Sequence, residues 1–152
     1  HFNTCDFKRF HPGGALGHRL SRQVEDFMLT GEHIPKVPQG TSMLETIREI
    51  DRPGLGVVFI VDNDGRLQGI ITDGDIRRSL AKNQPIYELC ADNLMTRSPL
   101  TLGTKAPAYD ALNLMEQHQI TVLPIIDNNN RIIGVLHLHD ILGKGEFKFN
   151  GK

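Results

Sequence analysis

Gly69-Ile70-Ile71-Thr72-Asp73-Gly74-Asp75-Ile76 returns 65 residues later as Gly134-Val135-Leu136-His137-Leu138-His139-Asp140-Ile141. The register holds without a gap through the preceding stretch, where Asp62 meets Asp127 and Arg66 meets Arg131. A repeat of this length is one supersecondary unit used twice, and units that small cover their apolar faces by packing on each other. The upstream parts also correspond, Asp26-Phe27-Met28 with Asn93-Leu94-Met95, but at an offset of 67. The first copy therefore carries two extra residues, placed near positions 30–35.

Within each copy the periodicity changes from helix to strand. Met43, Ile47 and Ile50 recur at helical spacing, as do Ala108, Leu112 and Met115 in the second copy, and each set predicts one buried helix face. Ser42 with Glu45 suggests a capping box, and Pro107 suits a first helical turn. Val57 to Val61 and Val122 to Ile126 are apolar runs of strand length. Each leads through a turn, Asp62-Asn63-Asp64-Gly65 or Asp127-Asn128-Asn129-Asn130, into a second strand, Leu67 to Ile71 or Ile132 to Leu136. A closing helix follows each hairpin. The expected class is α+β, with two helix-strand-strand-helix units related by a pseudo-twofold axis.

The repeated corner has a chemistry of its own. Thr72 and Asp75 fall where a strand gives way to a helix, and unpaired amides with a positive helix end favour a phosphate there. Thr72 adds a hydroxyl, while the two oxygens of Asp75 match the paired hydroxyls of a ribose. Loss of that carboxylate is expected to cost about 1–3 kcal/mol of binding and to leave folding nearly untouched. Arg77 and Arg78 follow in the same helix, and either could reach an anion through charge-assisted bonds. In the second copy His137 stands in place of Thr72 while Asp140 is kept, so a phosphate there would rely on an imidazole sensitive to pH. His137, His139 and Asp140 also invite a metal reading, but a closed site needs further ligands and none is near in sequence. The expectation is no metal, with these three as rim residues of a nucleotide cleft.

The chain of 152 residues is 39% hydrophobic and 23% charged, enough for one two-lobed globular module. Its 17 basic and 18 acidic residues leave a formal charge of -1, so neither nucleic acid nor a membrane surface is an expected partner. No run approaches the roughly 20 apolar residues of a membrane span, and the expected location is cytoplasmic. Cys5 and Cys90 are too far apart in sequence for a Cys-x-x-Cys motif and are read as free thiols. The polar, glycine-rich start from His1 to Arg19 reads as part of something longer.

The repeat, the element order and the Gly-x-x-Thr-x-x-Asp signature together resemble two tandem CBS motifs, the pair known as a Bateman module. The resemblance divides the chain into a junction at 1–23, a first motif at 24–86, a second at 87–143 and a tail at 144–152. It implies phosphate contact by Thr72 and ribose contact by Asp75. It places an apolar base slot among Ile34, Pro35 and Val37 in one copy and Pro99, Leu100 and Leu102 in the other, with Val58 and Leu123 on neighbouring strands. Phe10-His11-Pro12-Gly13-Gly14-Ala15-Leu16-Gly17 and Thr72-Asp73-Gly74-Asp75-Ile76-Arg77-Arg78 further resemble the junction and module of bacterial D-arabinose-5-phosphate isomerases, in which a sugar isomerase (SIS) domain precedes the CBS pair. That resemblance implies a role in making Kdo, a sugar of lipopolysaccharide, and places at His11 a histidine implicated in catalysis by the longer parent enzyme. The fragment lacks the SIS domain and is expected to be inactive alone, with no nucleophile-base pair or acid-base dyad outside His11. The implied ligand is a cytidine nucleotide or CMP-Kdo, alternatively an adenosine nucleotide, and no cofactor is required. The competing expectation is a ligand-free pair that serves dimerisation and assembly of the parent isomerase. Phe147 and Phe149 in the tail are expected either at such a contact or in a frayed terminus.

Overall fold

The computed structural model describes residues 15–143. His11, Cys5 and the tail phenylalanines lie outside the described residues. Helix α1 (Ala15–Leu20) is followed by 3-10 turns at Val24–Asp26 and Gly31–His33. The first repeat comprises β1 (Lys36–Pro38), α2 (Met43–Asp51), β2 (Val57–Val61), β3 (Leu67–Thr72) and α3 (Asp73–Ala81). A 3-10 turn at Ile86–Glu88, α4 (Ala91–Leu94) and β4 (Thr96–Arg97) lead into the second: β5 (Leu102–Gly103), α5 (Ala108–His118), β6 (Val122–Ile126), β7 (Ile132–His137) and α6 (Leu138–Leu142). The class is α+β with two sheets, ordered β1-β2-β3-β4 and β5-β6-β7.

The expected helix-strand-strand-helix unit acquires a short leading strand in each copy. β1 runs parallel to β2, with Val37 opposite Ile60, and β5 runs parallel to β6, with Leu102 opposite Ile125. These strands span three and two residues and contain Pro38 or Gly103, so no alternating pattern announces them. Both helices with apolar periodicity form where expected. Ser42 Oγ accepts from the Glu45 amide at 3.3 Å, and the Thr46 hydroxyl donates to Ser42 O at 2.8 Å. Pro107 is the residue before the helix rather than its first, extended at φ -65° and ψ 147°.

The two copies exchange strands. Thr96, just ahead of the second copy, pairs with Ile70 of the first, while Leu29, ahead of the first copy, bridges Val135 of the second. Met95 and Met28 arrive with those segments and press on the repeat glycines. A Cβ on Gly69 would lie 2.6 Å from Met95 Sδ and 2.8 Å from Thr96 O, and one on Gly134 would strike Met28 Sδ. At these two positions only glycine leaves room for the crossing chain. The helix-facing cores are mixed accordingly: Met43, Ile50, Val58 and Ile71 pack with Ile86, Ala91 and Met95, while Leu112, Met115, Leu123 and Ile141 pack with Leu20 and Val24.

A third core lies between the sheets, built by Ile34, Val57, Phe59, Val61, Leu67, Val122, Ile132 and Val135. The pseudo-twofold axis passes between the hairpin tips. There Arg66 bridges Arg131, the Leu67 amide donates to Asn130 O at 2.9 Å, and the Ile132 amide donates to Gly65 O at 3.1 Å. Asp62 and Asp127 tie their turns identically, each accepting amides two and four residues ahead. The Asp127 carboxyl is held below its ordinary range, chiefly by the Arg131 amide.

Candidate functional site

Two sheets that diverge from a shared core leave a cleft at the end where β3 enters α3. Its volume is about 530 Å³. Leu55, Gly56, Val57, Ile70, Thr72, Asp73, Gly74 and Arg77 border it from the first copy, Thr96, Pro99 and Leu100 from the linker, and Gln119, Ile120, Thr121, Val122 and Pro124 from the second copy. The walls are largely apolar, the charged groups Asp73 and Arg77 stand at the start of α3, and Thr96, Gln119 and Thr121 add neutral polar groups elsewhere, an arrangement suited to a small molecule with one charged end.

The start of α3 is a reciprocal cap. Thr72 Oγ1 accepts from the Asp75 amide at 3.2 Å, and Asp75 Oδ2 accepts from the Thr72 amide at 2.9 Å. Asp75 Oδ1 accepts from Arg78 Nη2 at 2.8 Å. Both oxygens expected to hold a ribose are thus engaged within the protein, because an aspartate at the third helical position reaches back to the residue before the helix. Asp75 and Arg78 do not border the cleft, whereas Thr72 and Arg77 do. Arg77 is exposed and has no hydrogen-bond or ion-pair partner among the described residues. The carboxylate of Asp73, the other charge on the rim, lies against Gly56, with Oδ2 3.1 Å from where a Cβ would stand there.

Of the residues expected to form the base slot, some border this cleft and others lie away from it. Val58 and Leu123 are fully buried on the helix-facing sides of β2 and β6. Successive strand residues point to opposite faces, so it is their neighbours Val57 and Val122 that border the cleft. Ile34 is 4% exposed within the inter-sheet core, and Pro35 is buried with its carbonyl accepting the Phe59 amide at 2.8 Å. Neither lines the cleft, while Pro99 and Leu100 do. Ile70, Asp73, Gly74, Thr96, Gln119 and Pro124 also border the cleft without having been expected there, as do Leu55, Gly56, Ile120 and Thr121, which precede β2 and β6 at the repeat spacing of 65 and are legible from it.

His137, His139 and Asp140 occupy the corresponding corner of the second copy. Asp140 Oδ2 accepts from the His137 amide at 3.2 Å, as Asp75 does from Thr72. His137 Nδ1, however, accepts from the His139 amide at 3.0 Å, and the two rings meet edge on with centroids 4.8 Å apart. An accepting Nδ1 places the imidazole proton on Nε2. Among the described residues no group of three or more His, Cys, Asp or Glu side chains is placed to hold a metal ion. Nor is any described helix long and apolar enough to cross a membrane.

Comparison with known proteins agrees with this architecture. The CBS domain family model matches residues 24–82 and 91–145. Arabinose 5-phosphate isomerase KdsD of Pseudomonas aeruginosa is 41% identical over 144 residues, covering 95% of this chain and 44% of the relative, and KdsD of Escherichia coli K12 is 38% identical over the same shares. The chain thus spans less than half the length of the curated relatives it matches. Among solved structures, the CBS domain pair of protein MJ0100, crystallised with 5′-methylthioadenosine and S-adenosyl-L-methionine, superposes with a TM-score of 0.69 at 27% identity, covering 79% of this chain and 92% of that one.

Proposed function

The chain belongs to the CBS domain family, and from that premise we propose that it is the regulatory nucleotide-binding pair of an arabinose 5-phosphate isomerase. The observation that carries this reading is the cleft of about 530 Å³ whose apolar walls end at Thr72, Gly74 and Arg77. A purine or pyrimidine fits the apolar part, between Ile70, Val57 and Val122, and a phosphate fits the α3 end, where Thr72 and Arg77 stand. Asp75 would reach a ribose through Oδ1 on exchanging its bond to Arg78 for the sugar hydroxyls. His137, His139 and Asp140 would border the opposite rim.

The nucleotide class is supported by the adenosine compounds bound to the MJ0100 pair, and the isomerase context by KdsD relatives that match nearly all of this chain. In the longer protein the SIS domain would supply the sugar phosphate pocket, with His11 taking part in catalysis, and the CBS pair would bias that domain between two states. The expected effector is a cytidine nucleotide or CMP-Kdo, the activated sugar downstream of the isomerase, with an adenosine nucleotide as the alternative. The module would act in the cytoplasm and need no cofactor. Proposed boundaries are a junction at 1–23, motifs at 24–86 and 87–143, and a tail at 144–152.

A second reading, a ligand-free pair that assembles the parent enzyme by self-association, is favoured by exposed apolar side chains at the end of the first copy and in the turn that follows it, Leu80 at 56% and Tyr87 at 80%. Thermal unfolding with CMP, CMP-Kdo, AMP, ATP and S-adenosylmethionine separates the two. A ligand at about 100 times its Kd stabilises a one-site fold by about 2.7 kcal/mol. For a chain of this size that corresponds to roughly 5–10 °C. No shift with any of the five would favour assembly.

A further inference from the structure

The two corners are chemically unequal, and we propose that the module binds one phosphorylated ligand per chain, at the first corner, with Arg77 as the residue that selects for the phosphate. This rests on the reading of the cleft as a nucleotide site and adds to it a stoichiometry and a specificity determinant.

Three observations carry it. Of the first three amides of α3, that of Asp73 donates to Gly56 O and that of Asp75 to Thr72 Oγ1, while the Gly74 amide between them has no acceptor among the described residues. In the second copy the equivalent amide, of His139, is taken by His137 Nδ1. The substitution at position 137 therefore closes with the protein's own side chain the donor that the first corner leaves open.

The second observation is the cation. Arg77 borders the cleft without a partner among the described residues, whereas Arg78 is tied to Asp75. The repeat places Leu142 where Arg77 stands; it also places Leu138 in place of Asp73, a rim carboxylate that opposes an anion and that Arg77 offsets at the first corner. A phosphate entering the second corner would be dehydrated without a guanidinium to replace its water, which is unfavourable. The third is bulk at the helix start: where the second copy carries the imidazole of His139, Gly74 leaves only the flexible end of Arg78, whose Nη1 lies 3.0 Å from where a Cβ would stand.

Isothermal titration of this chain with AMP and adenosine, and with CMP and cytidine, tests the proposal. At least one monophosphate should bind with one equivalent per chain and roughly tenfold or more tightly than its nucleoside, the effect of one or two charge-assisted bonds. Arg77→Leu, which installs the second copy's residue at an exposed site, should bring the Kd of the monophosphate to within a few-fold of that of its nucleoside. Arg77→Lys should recover part of the preference. Two equivalents per chain, a nucleoside that binds as tightly as its monophosphate, or an Arg77→Leu chain that keeps the preference would overturn the inference while leaving the nucleotide reading standing. No binding by either pair would remove both.

Discussion

Thr72 and His137 hold the same place in their repeats, each capping the helix that closes its hairpin, yet Thr72 takes the amide of Asp75 and His137 that of His139. The backbone of the two corners is shared: Asp73 and Leu138 both donate to the loop before the first hairpin strand, at 3.0 and 2.8 Å, and Asp75 and Asp140 both reach back to the capping residue. What differs is which donor the cap consumes. A hydroxyl that bonds three residues ahead leaves the middle amide open, whereas an imidazole that bonds two residues ahead takes it. Duplication thus fixes the scaffold, and one side chain decides whether the middle amide of a helix start is left open or taken up by the fold itself.

The largest expected effect probes the symmetry itself. Gly69→Ala drives a methyl into Met95 Sδ and the Thr96 carbonyl at 2.8 Å, while the nearest backbone atom to the same methyl at Gly134 is Leu29 O at 3.3 Å. Urea unfolding should show Gly69→Ala costing up to about 3 kcal/mol, the upper end for overpacking, and Gly134→Ala less. Equal, small losses would mean that the exchanged strands give way easily.

Next comes a contact that, among the described residues, only the second copy has. Arg19 donates from Nε to Ile141 O and from Nη2 to Asp140 O, both at 2.9 Å, and lies over the Phe27 ring at 4.8 Å. It ties α1 to the end of α6, where a cation also suits the helix dipole. Arg19→Ala should lower stability by about 2 kcal/mol, within the range for hydrogen bonds to a charged group. Removal of Arg78, which pairs on the surface, should cost no more than about 1 kcal/mol. A loss at Arg19 no larger than that at Arg78 would deny α1 a structural role.

The caps give a smaller and more discriminating result. Asp75→Ala and Asp140→Ala should each cost about 1 kcal/mol in thermal unfolding, since each removes one side of a reciprocal cap. The expectation that folding is indifferent to Asp75 does not survive its bonds to the Thr72 amide and to Arg78. Only Asp75→Ala should also weaken nucleotide binding. Parallel loss of binding at both positions would restore equivalence to the corners.

The smallest effect is at the hairpin tip. With its carboxyl held below the ordinary range, Asp127 contributes stability that is present above its unfolded value near pH 4 and is lost as pH falls through the lowered folded value. Asp127→Asn should therefore be less stable than the parent at neutral pH and converge with it in acid. A gap that widens on acidification would reverse the sign.

Much of this architecture was legible because it is periodic. The helices carrying Met43 and Leu112 and the hairpins after Val57 and Val122 follow from apolar spacing that tertiary contacts reinforce. The strands at Lys36, Thr96 and Leu102 were not legible, since two or three residues that pair through backbone alone leave no side-chain pattern. Met28 and Met95 were visible as a matched pair, but their purpose, filling the space opposite Gly134 and Gly69, exists only once the strands cross. Within the site, Val57 borders the cleft and Val58 does not, because one residue along a strand means the opposite face. Arg77 and Arg78 could not be told apart in sequence, because adjacent helical residues diverge by about 100° and only the fold says which direction meets the cleft.

The most direct test is a backbone amide titration by two-dimensional NMR with AMP and CMP. The largest shifts should fall on Gly56, Gly74, Arg77 and Thr121, saturating at one equivalent per chain, with His139 and Asp140 moving little. Shifts centred on His137 to Asp140, or scattered away from the cleft altogether, would contradict the account.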